Sequence, residues 1–296
     1  MDLYKAVTLS VGDLDQPVIS HYELGVLLSR LYISKKFQGE PLERISKNFP
    51  SQPDLKRVEG RLVNIGVIKP EGTWWAILGK KNYGPAEVLC SLDPFAYVSH
   101  LSAMSFHGLT DRLPNTLTAS TPDYKNWKIF AKQRMEKDFE GRLEEYFSSE
   151  LPRLTKPLFK KIGKERVDMF SSVHVGPGGF KRISDSVLRV ATIGRVFLDM
   201  VREPIRCGGM RHVVDVYRDY GLQYKNLIID ELDQHGKKIE KVRVGYLLEE
   251  VCKIKDARIE KWLSCVERGG SRKLDPNGEY EPIFSERWSL SINVPV

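Results

Sequence analysis

The 296-residue chain predicts an α+β fold in two parts, a small helical unit closed by a β-hairpin and a larger mixed domain. Three observations predict it. Apolar residues recur at helical spacing over residues 20–65 and then give way to an alternating hairpin pattern. The stretch GKKNYGPAE at 79–87 has the Gly, Pro and Lys content of a connector. Beyond it, short β-rich runs alternate with helical patterns, as mixed layered domains require.

Within the first part, Ser20 reads as an N-cap, with Glu23 three residues later completing a capping box. Leu24, Leu27, Leu28 and Leu31 then share one helix face. A second, shorter helix is expected to open at Pro41, a residue suited to the first helical position. It would carry Leu42, Ile45 and Phe49 and end at Pro50. The third segment, SQPDLKRVEGRLVNIG, has start signals in Ser51, Pro53 and Asp54 and a stop in Gly66. Its inward stripe is Leu55, Val58, Leu62 and Ile65, and the opposite face shows Lys56, Arg57, Arg61 and Asn64. VIK, the turn PEGT and WWAIL follow as a β-hairpin.

Three helices and a hairpin, with a turn of a few residues between helices two and three, form a winged helix-turn-helix over residues 1–81. That frame aims the start of the third helix at base edges in the major groove. Basic side chains there neutralise phosphates and release counterions, which supplies most of the affinity. The candidate DNA-contact residues are therefore Ser51, Gln52, Lys56, Arg57, Arg61, Asn64 and, on the hairpin, Lys69. A basic helix face that is merely solvated is the competing reading.

The second domain, 86–296, is expected to be α+β. FAYV (95–98) reads as a strand, and Ser99 caps a helix to about Phe106 that Gly108 closes. LTAS (117–120) is the next strand, and the charged stretch 124–150 is helical with Phe139, Leu143, Tyr146 and Phe147 on a narrow apolar stripe. RVDMFSSVHV, GFKRI and SVLRVA read as strands. Thr192 caps a helix to about Val201, Gly208-Gly209 precedes a helix over 210–220, and mainly helical sequence runs to about Val266. RWSLSINV is a terminal strand after the loop RGGSRKLDPNGEYEP.

The formal net charge is +7 and is unevenly spread. Residues 151–190 carry nine Lys/Arg against three Asp/Glu, whereas residues 86–150 carry seven against ten. A second basic surface is read from Lys156, Lys160, Lys161, Lys164, Lys181 and Arg182, with Arg166 among them. It would contact nucleic acid or an acidic surface, or be a solvated loop. Four scattered cysteines form no CxxC pair, which fits a reducing interior better than a zinc site or a disulfide framework. No apolar run reaches membrane-span length and the start lacks a signal-peptide pattern, so the chain is expected in the cytoplasm without membrane contact.

Catalytic signatures are absent from the sequence: no GxSxG elbow, no P-loop, no HExxH and no H-x-E with a CxxC. VGPGGF (175–180) reads as a tight turn. His100 and His107 read as capping and packing residues rather than a metal pair, and Asp230, Glu231 and Asp233 as a solvated acidic face. Neither an enzyme nor a cofactor is expected.

The stretch AYVSHLSAMSFHGLTDRLPNTLTASTP, with Ser99, Ser102, Ala103, His107, Gly108 and Leu109, resembles the AbiEi family of antitoxins of type IV toxin–antitoxin systems. VATIGRVFLDMV followed by CGGMRHVVD also looks like the family, with Arg195 and Asp199 on one helix. So do RVGYLLEEV, Leu274-Asp275-Pro276 and Arg287-Trp288. The charged insert over 124–165 is longer than in smaller members, and Gly194 stands where a better helix former is expected. The resemblance implies a transcriptional autorepressor that binds inverted repeats of double-stranded DNA in its own promoter. It also implies an antitoxin that counteracts a nucleotidyltransferase-like toxin in abortive infection, a phage defence, without a stable complex. Arg195 and Asp199, four apart on a helix, equally suit a structural ion pair. The rival reading is a nucleic-acid-processing enzyme that uses the winged helix to dock its substrate; a protein-binding winged helix is a third.

Overall fold

Helix α1 (Leu3–Gly12) opens the chain and buries Ala6, Val7 and Val11. No capping signal marks it, because the Asp2 side chain makes no cap bond. This computed structural model describes residues 1–81, 83–175, 178–267 and 272–296. Strand β1 (Val18–Ser20) leads into α2 (His21–Ser34). There the Ser20 Oγ accepts the Glu23 amide at 3.1 Å and Glu23 Oε2 accepts the Ser20 amide at 2.9 Å. Two amides of the helix start, those of Ser20 and Glu23, are thereby satisfied.

The helix expected at 41–49 does not form. Instead β2 (Lys36–Phe37) and β3 (Glu40–Pro41) pair as a tiny hairpin. Its two central residues, Gln38 and Gly39, both have positive φ (48° and 88°), as a type I′ turn demands. The Leu42 amide bonds Lys35 O and the Glu43 amide bonds Met1 O, while Arg44 is also left-handed, so a helix cannot start here. Leu42 is buried and Ile45 and Phe49 pack partly against the same core. Their helix-like spacing recorded burial of an irregular segment. The connection from α2 to α3 (Gln52–Asn64) consequently spans residues 35–51, not a few residues.

Strands β4 (Ile68–Pro70) and β5 (Trp74–Ile77) form the hairpin after α3. They join β1 in an antiparallel sheet of order β1-β5-β4, with Ser20 opposite Trp74 and Ile68 opposite Ile77. Pro70 sits on the edge strand, where no ladder donor is lost. The sequence of elements α1-β1-α2-β2-β3-α3-β4-β5 is a winged-helix layout whose first helix is α1, with the small β2–β3 hairpin inserted between α2 and α3.

The second domain starts earlier than its expected boundary. Residues 85–87 of the expected connector already belong to α4 (Pro85–Leu92), opened by Pro85 and by Glu87 Oε2 accepting the Gly84 amide at 2.9 Å. Then come β6 (Tyr97–Val98), α5 (His100–Phe106), β7 (Thr116–Pro122), α6 (Tyr124–Phe139), α7 (Leu143–Ser148), β8 (Lys161–Ile162), β9 (Glu165–Ser172), β10 (Phe180–Arg182) and β11 (Arg189–Ala191). Among the described residues these strands make one mixed sheet of order β10-β11-β6-β7-β9-β8. Its centre is the parallel β7–β9 pair, from Thr116 opposite Arg166 to Pro122 opposite Ser172. The connection between them carries α6 and α7, as a parallel pair requires.

Helices α8 (Ile193–Arg202), α9 (Met210–Tyr220), α10 (Lys225–His235), α11 (Lys238–Tyr246) and α12 (Ala257–Lys261) follow, with β12 (Phe284–Ser285) and β13 (Leu290–Ser291) at the end. Thr192 caps α8 by accepting the Arg195 amide. Gly194 belongs in that first turn for a packing reason: a Cβ there would lie 2.4 Å from Leu227 O of α10. Helix propensity, which argues against glycine, yields to the close crossing of two backbones. No helix among the described residues is long and apolar enough to cross a membrane.

Two apolar cores result, and they do not follow the connector. One holds α4, the large sheet and the helices from α8 onward. The other is the winged helix, yet it also contains Met135, Phe139, Tyr146 and Leu151 from the charged insert. Tyr146 stands over Gly25 of α2, where an added Cβ would meet its hydroxyl at 2.8 Å, and that hydroxyl donates to Pro152 O at 2.6 Å. Asp138, 8% exposed, accepts Tyr22 Oη at 2.9 Å, Arg30 Nη2 at 3.1 Å and Arg134 Nε at 2.9 Å. The insert is thus an arm of the second domain clamped onto the first.

Asp138→Ala is expected to lower stability by about 2 kcal/mol, since it leaves the Tyr22 hydroxyl unpaired in a partly buried site and removes the contacts of two solvent-exposed arginines. Urea unfolding followed by Trp fluorescence measures this, and a change within 0.5 kcal/mol, roughly the scatter of a neutral surface substitution, would show the clamp to be incidental.

Candidate nucleic-acid interface

Helix α3 is held by Leu55, Val58 and Leu62, all buried, which leaves Gln52, Lys56, Arg57, Arg61 and Asn64 exposed along the outward face. Ile65, expected on the inward stripe, is 45% exposed because the helix ends at Asn64 and the chain turns at Gly66 (φ 70°). Gly60 lies within the outward face, and a Cβ there would meet nothing within 4 Å. The face is therefore flat, polar and open at its middle.

The start of α3 is fixed by Asp54. Its Oδ2 accepts the Ser51 amide at 3.0 Å, the Ser51 hydroxyl at 2.7 Å and Lys47 Nζ at 3.0 Å. Partial burial raises the Asp54 carboxyl, but the bonds from Ser51 and Lys47 prevail and draw it down to about 2. Ser51, a candidate contact residue, has its hydroxyl turned to this cap. Arg57 Nη1 lies 3.7 Å from Asp54 Oδ1 and remains well exposed, so a loose surface pair competes little with another anion. Lys56 and Arg61 have no carboxylate within salt-bridge distance among the described residues. Lys69 on β4 pairs at 3.1 Å with Glu71 in the wing turn.

His21, at the start of α2, ties the frame together. Its Nδ1 lies 2.7 Å from Glu59 Oε1 of α3, and its ring meets the Trp75 ring of β5 edge-on at 5.1 Å. Helix and wing are thus set relative to each other by side chains, not by the sheet alone.

The second basic surface does not exist as one patch. Lys181 and Arg182 lie on β10, at one edge of the large sheet, whereas Lys161 lies on β8 at the other. Five strand spacings separate the edges, about 24 Å. Lys160, Lys164 and Arg166 go with the β8 edge and are exposed. Lys156 turns inward, donating to Pro122 O at 2.6 Å and to Ser171 Oγ at 3.3 Å, and burial lowers its ammonium below the ordinary range. An open groove of about 710 Å³ joins the β8 edge to the wing, lined by His21, Thr73 and Trp74 on one side and Arg153, Phe159 and Lys161 on the other. Arg153 and His21 carried no sequence signal as neighbours, being separated by over a hundred residues.

The other singled-out residues make contacts within the fold. Arg195 Nε donates to Asp199 Oδ1 at 3.0 Å, both residues buried, with Glu231 Oε1 at 3.7 Å from the guanidinium. Burial works against the Arg195 charge, but Asp199, Tyr97 and Glu231 outweigh it and hold the guanidinium firmly protonated. His100 Nδ1 lies 2.7 Å from Ser99 Oγ, and His107 Nε2 lies 2.7 Å from Ala191 O. Asp230 pairs with Arg258 and Asp233 accepts Trp262 Nε1. Among the described residues no three His, Cys, Asp or Glu side chains gather as metal ligands. VGPGGF falls partly on residues 176–177, outside the described residues.

Asp54→Ala is expected to cost about 1–2 kcal/mol of unfolding free energy at neutral pH. Because the native carboxyl is depressed, its contribution is present above pH 4 and disappears as pH falls toward 2. Chemical unfolding of wild type and variant across pH 2–7 checks this; a difference unchanged over that range contradicts the cap assignment.

No family model matches the chain, and no curated protein matches it. A solved structure, the crystal structure of the RV2827C protein from Mycobacterium tuberculosis, is similar along 97% of this chain and 90% of that one, at 13% identity and a TM-score of 0.48.

Proposed function

We propose that this protein is a DNA-binding transcriptional autorepressor and an antitoxin. It would act inside the cell against a nucleotidyltransferase-like toxin, in phage defence. The observation that carries the DNA reading is the outward face of α3, where Gln52, Lys56, Arg57, Arg61 and Asn64 stand exposed on a winged-helix frame. Basic and amide side chains on such a helix suit base edges and phosphates of a major groove. Gly60 at the centre of the face lets the helix backbone approach the duplex closely, which gives its helix-weakening presence a use. The wing supplies Lys69, and the β8 edge supplies Lys160, Lys161, Lys164 and Arg166 for phosphates beyond the groove. The antitoxin half rests on the family resemblance of the second domain, whose Arg195–Asp199 pair serves packing.

Lys56→Ala/Arg57→Ala/Arg61→Ala is expected to weaken binding to DNA from immediately upstream of the gene by at least 100-fold. The basis is about 1–3 kcal/mol for each base-reading residue. Residues touching only phosphate would instead reduce the log–log salt slope by about 0.9 each. Gel-shift titration against scrambled DNA measures both, and unchanged binding by the triple variant would remove α3 from the interface.

A further inference from the structure

Beside the Asp138 clamp lies a cavity of about 390 Å³, walled by α1 and the turn after it, by one face of α2, and by Arg134 and Asp138 of α6. It therefore sits between the two domains, a preferred place for ligand sites, and its volume is that of a small-molecule site. Leu14, Ile19, Val26, Leu27 and Leu31 give it an apolar wall. The hydroxyls around it are already engaged. Ser10 Oγ donates to Ala6 O at 2.8 Å, Ser34 Oγ to Lys36 O at 2.9 Å and Tyr22 Oη to Asp138 at 2.9 Å. Charge is left to select an occupant.

Four charged residues line the cavity, two of each sign, and they are unevenly paired. Arg30 and Arg134 share one carboxylate, that of Asp138, each through a single N–H at 3.1 and 2.9 Å. Both guanidinia are about half exposed, at 61% and 49%, so most of their donors are free and one positive charge is left over. Glu23 has the reverse imbalance. Its Oε2 accepts the Ser20 amide and hydroxyl, both at 2.9 Å, but no lysine or arginine lies within salt-bridge distance of it among the described residues. Burial raises the Glu23 carboxyl above its ordinary range against the pull of Ser20, Gln16 and Arg134, the mark of an anion short of a cation. Glu23, Leu27 and Arg30 lie on one face of α2, the two charged residues about 10 Å apart along the axis. Helical side chains lean toward the N-terminus, and the longer arginine shortens that gap.

We propose that this cavity binds a short apolar peptide with free termini, a di- or tripeptide, its ammonium on Glu23 and its carboxylate on the Arg30–Arg134 pair. An extended chain spans about 3.3–3.6 Å per residue, so two or three residues bridge the charged ends. The peptide's apolar side chains pack on Leu14, Val26, Leu27 and Leu31. An anionic amphiphile would leave Glu23 without a cation, and a cationic one would leave the arginine pair with its surplus charge. A zwitterion of this length satisfies both ends through charge-assisted hydrogen bonds. Because Tyr22 and Asp138 line the same cavity, the occupant also braces the clamp. The site lies apart from the α3 face and stands whether or not that face binds DNA.

Isothermal titration calorimetry of the full-length chain tests this with Leu-Leu, Leu-Leu-Leu, N-acetyl-Leu-Leu and Leu-Leu amide. The better of the two free peptides is expected to bind with a Kd of about 1 mM or tighter, a modest affinity for a ligand of that size, and to raise the unfolding temperature. Each capped peptide lacks one charge and is expected to bind about tenfold or more weakly. Two variants place the ligand in the cavity: Glu23→Gln, which keeps the capping box, and Arg30→Met, which keeps the aliphatic stem. Each is expected to weaken the free peptide about tenfold. Glu23→Gln should also lose the discrimination against N-acetyl-Leu-Leu, and Arg30→Met that against the amide, a pairing that general destabilisation would not produce. No binding of either free peptide at about 5 mM, well above the expected Kd, overturns the proposal. Equal binding of free and capped peptides overturns the choice of ligand, and full binding by both variants overturns its placement in this cavity.

Discussion

Asp138 sits where three donors converge from two domains, and it has no other means of satisfying its charge. Tyr22 and Arg30 reach it from α2, and Arg134 reaches it from the preceding turn of its own helix. Because this carboxylate is almost wholly buried, losing its donors leaves its charge poorly satisfied, and losing the carboxylate leaves the buried Tyr22 hydroxyl without its partner, while Arg30 and Arg134 can turn to water. Its neighbours Met135, Phe139 and Tyr146 are built into the winged-helix core. The Tyr146 hydroxyl can approach α2 this closely only because residue 25 is glycine. The orientation of the first domain on the second, and hence of α3 and the wing relative to the β8 edge, depends on this clamp more than on the seven residues joining β5 to α4.

Such rigidity has a consequence for recognition. A winged helix on a flexible tether would bring only its own basic residues to a duplex. Here His21, Thr73 and Trp74 face Arg153, Phe159 and Lys161 across one groove, so on the proposed DNA reading phosphate contacts from both domains would come preset in register. Ordering costs that a tethered arrangement would meet on binding are met at folding instead.

Much of the fold was legible in local signals. The Ser20–Glu23 capping box, the Ser51–Asp54 start, Thr192 and Gly208-Gly209 each mark a helix boundary that the chain adopts, because capping chemistry acts over three or four residues. Leu24, Leu28, Leu55, Val58 and Leu62 fell on buried faces for the same reason. What failed was non-local. Leu42, Ile45 and Phe49 are spaced like a helix, but the Gln38-Gly39 turn and a bond to Met1 hold that segment as a hairpin and loop. Gly194, which helix propensity disfavours, is required by the crossing of α10, whose Leu227 O a Cβ would meet at 2.4 Å. The basic residues of 156–182 form one cluster in sequence and two opposite sheet edges in space, since β10 and β8 are joined through the sheet order and not through chain proximity. Of the candidate site, the α3 face was readable from its period alone, whereas the groove partners His21 and Arg153 meet only through tertiary packing.

The central claim is that the α3 face and the wing bind the protein's own upstream DNA as a polycation reading sequence. The most direct measurement is a fluorescence-anisotropy titration of the wild-type protein with labelled upstream duplex and with a scrambled duplex, repeated over about 50–300 mM salt, a range over which phosphate contacts change affinity by orders of magnitude. The account predicts affinity for the upstream duplex at least 100-fold above the scrambled one, with a log–log salt slope of about −3.6 or steeper, since the four cations of the α3 face and the wing contribute roughly 0.9 each. Equal affinity for both duplexes, or a slope near zero, would contradict it.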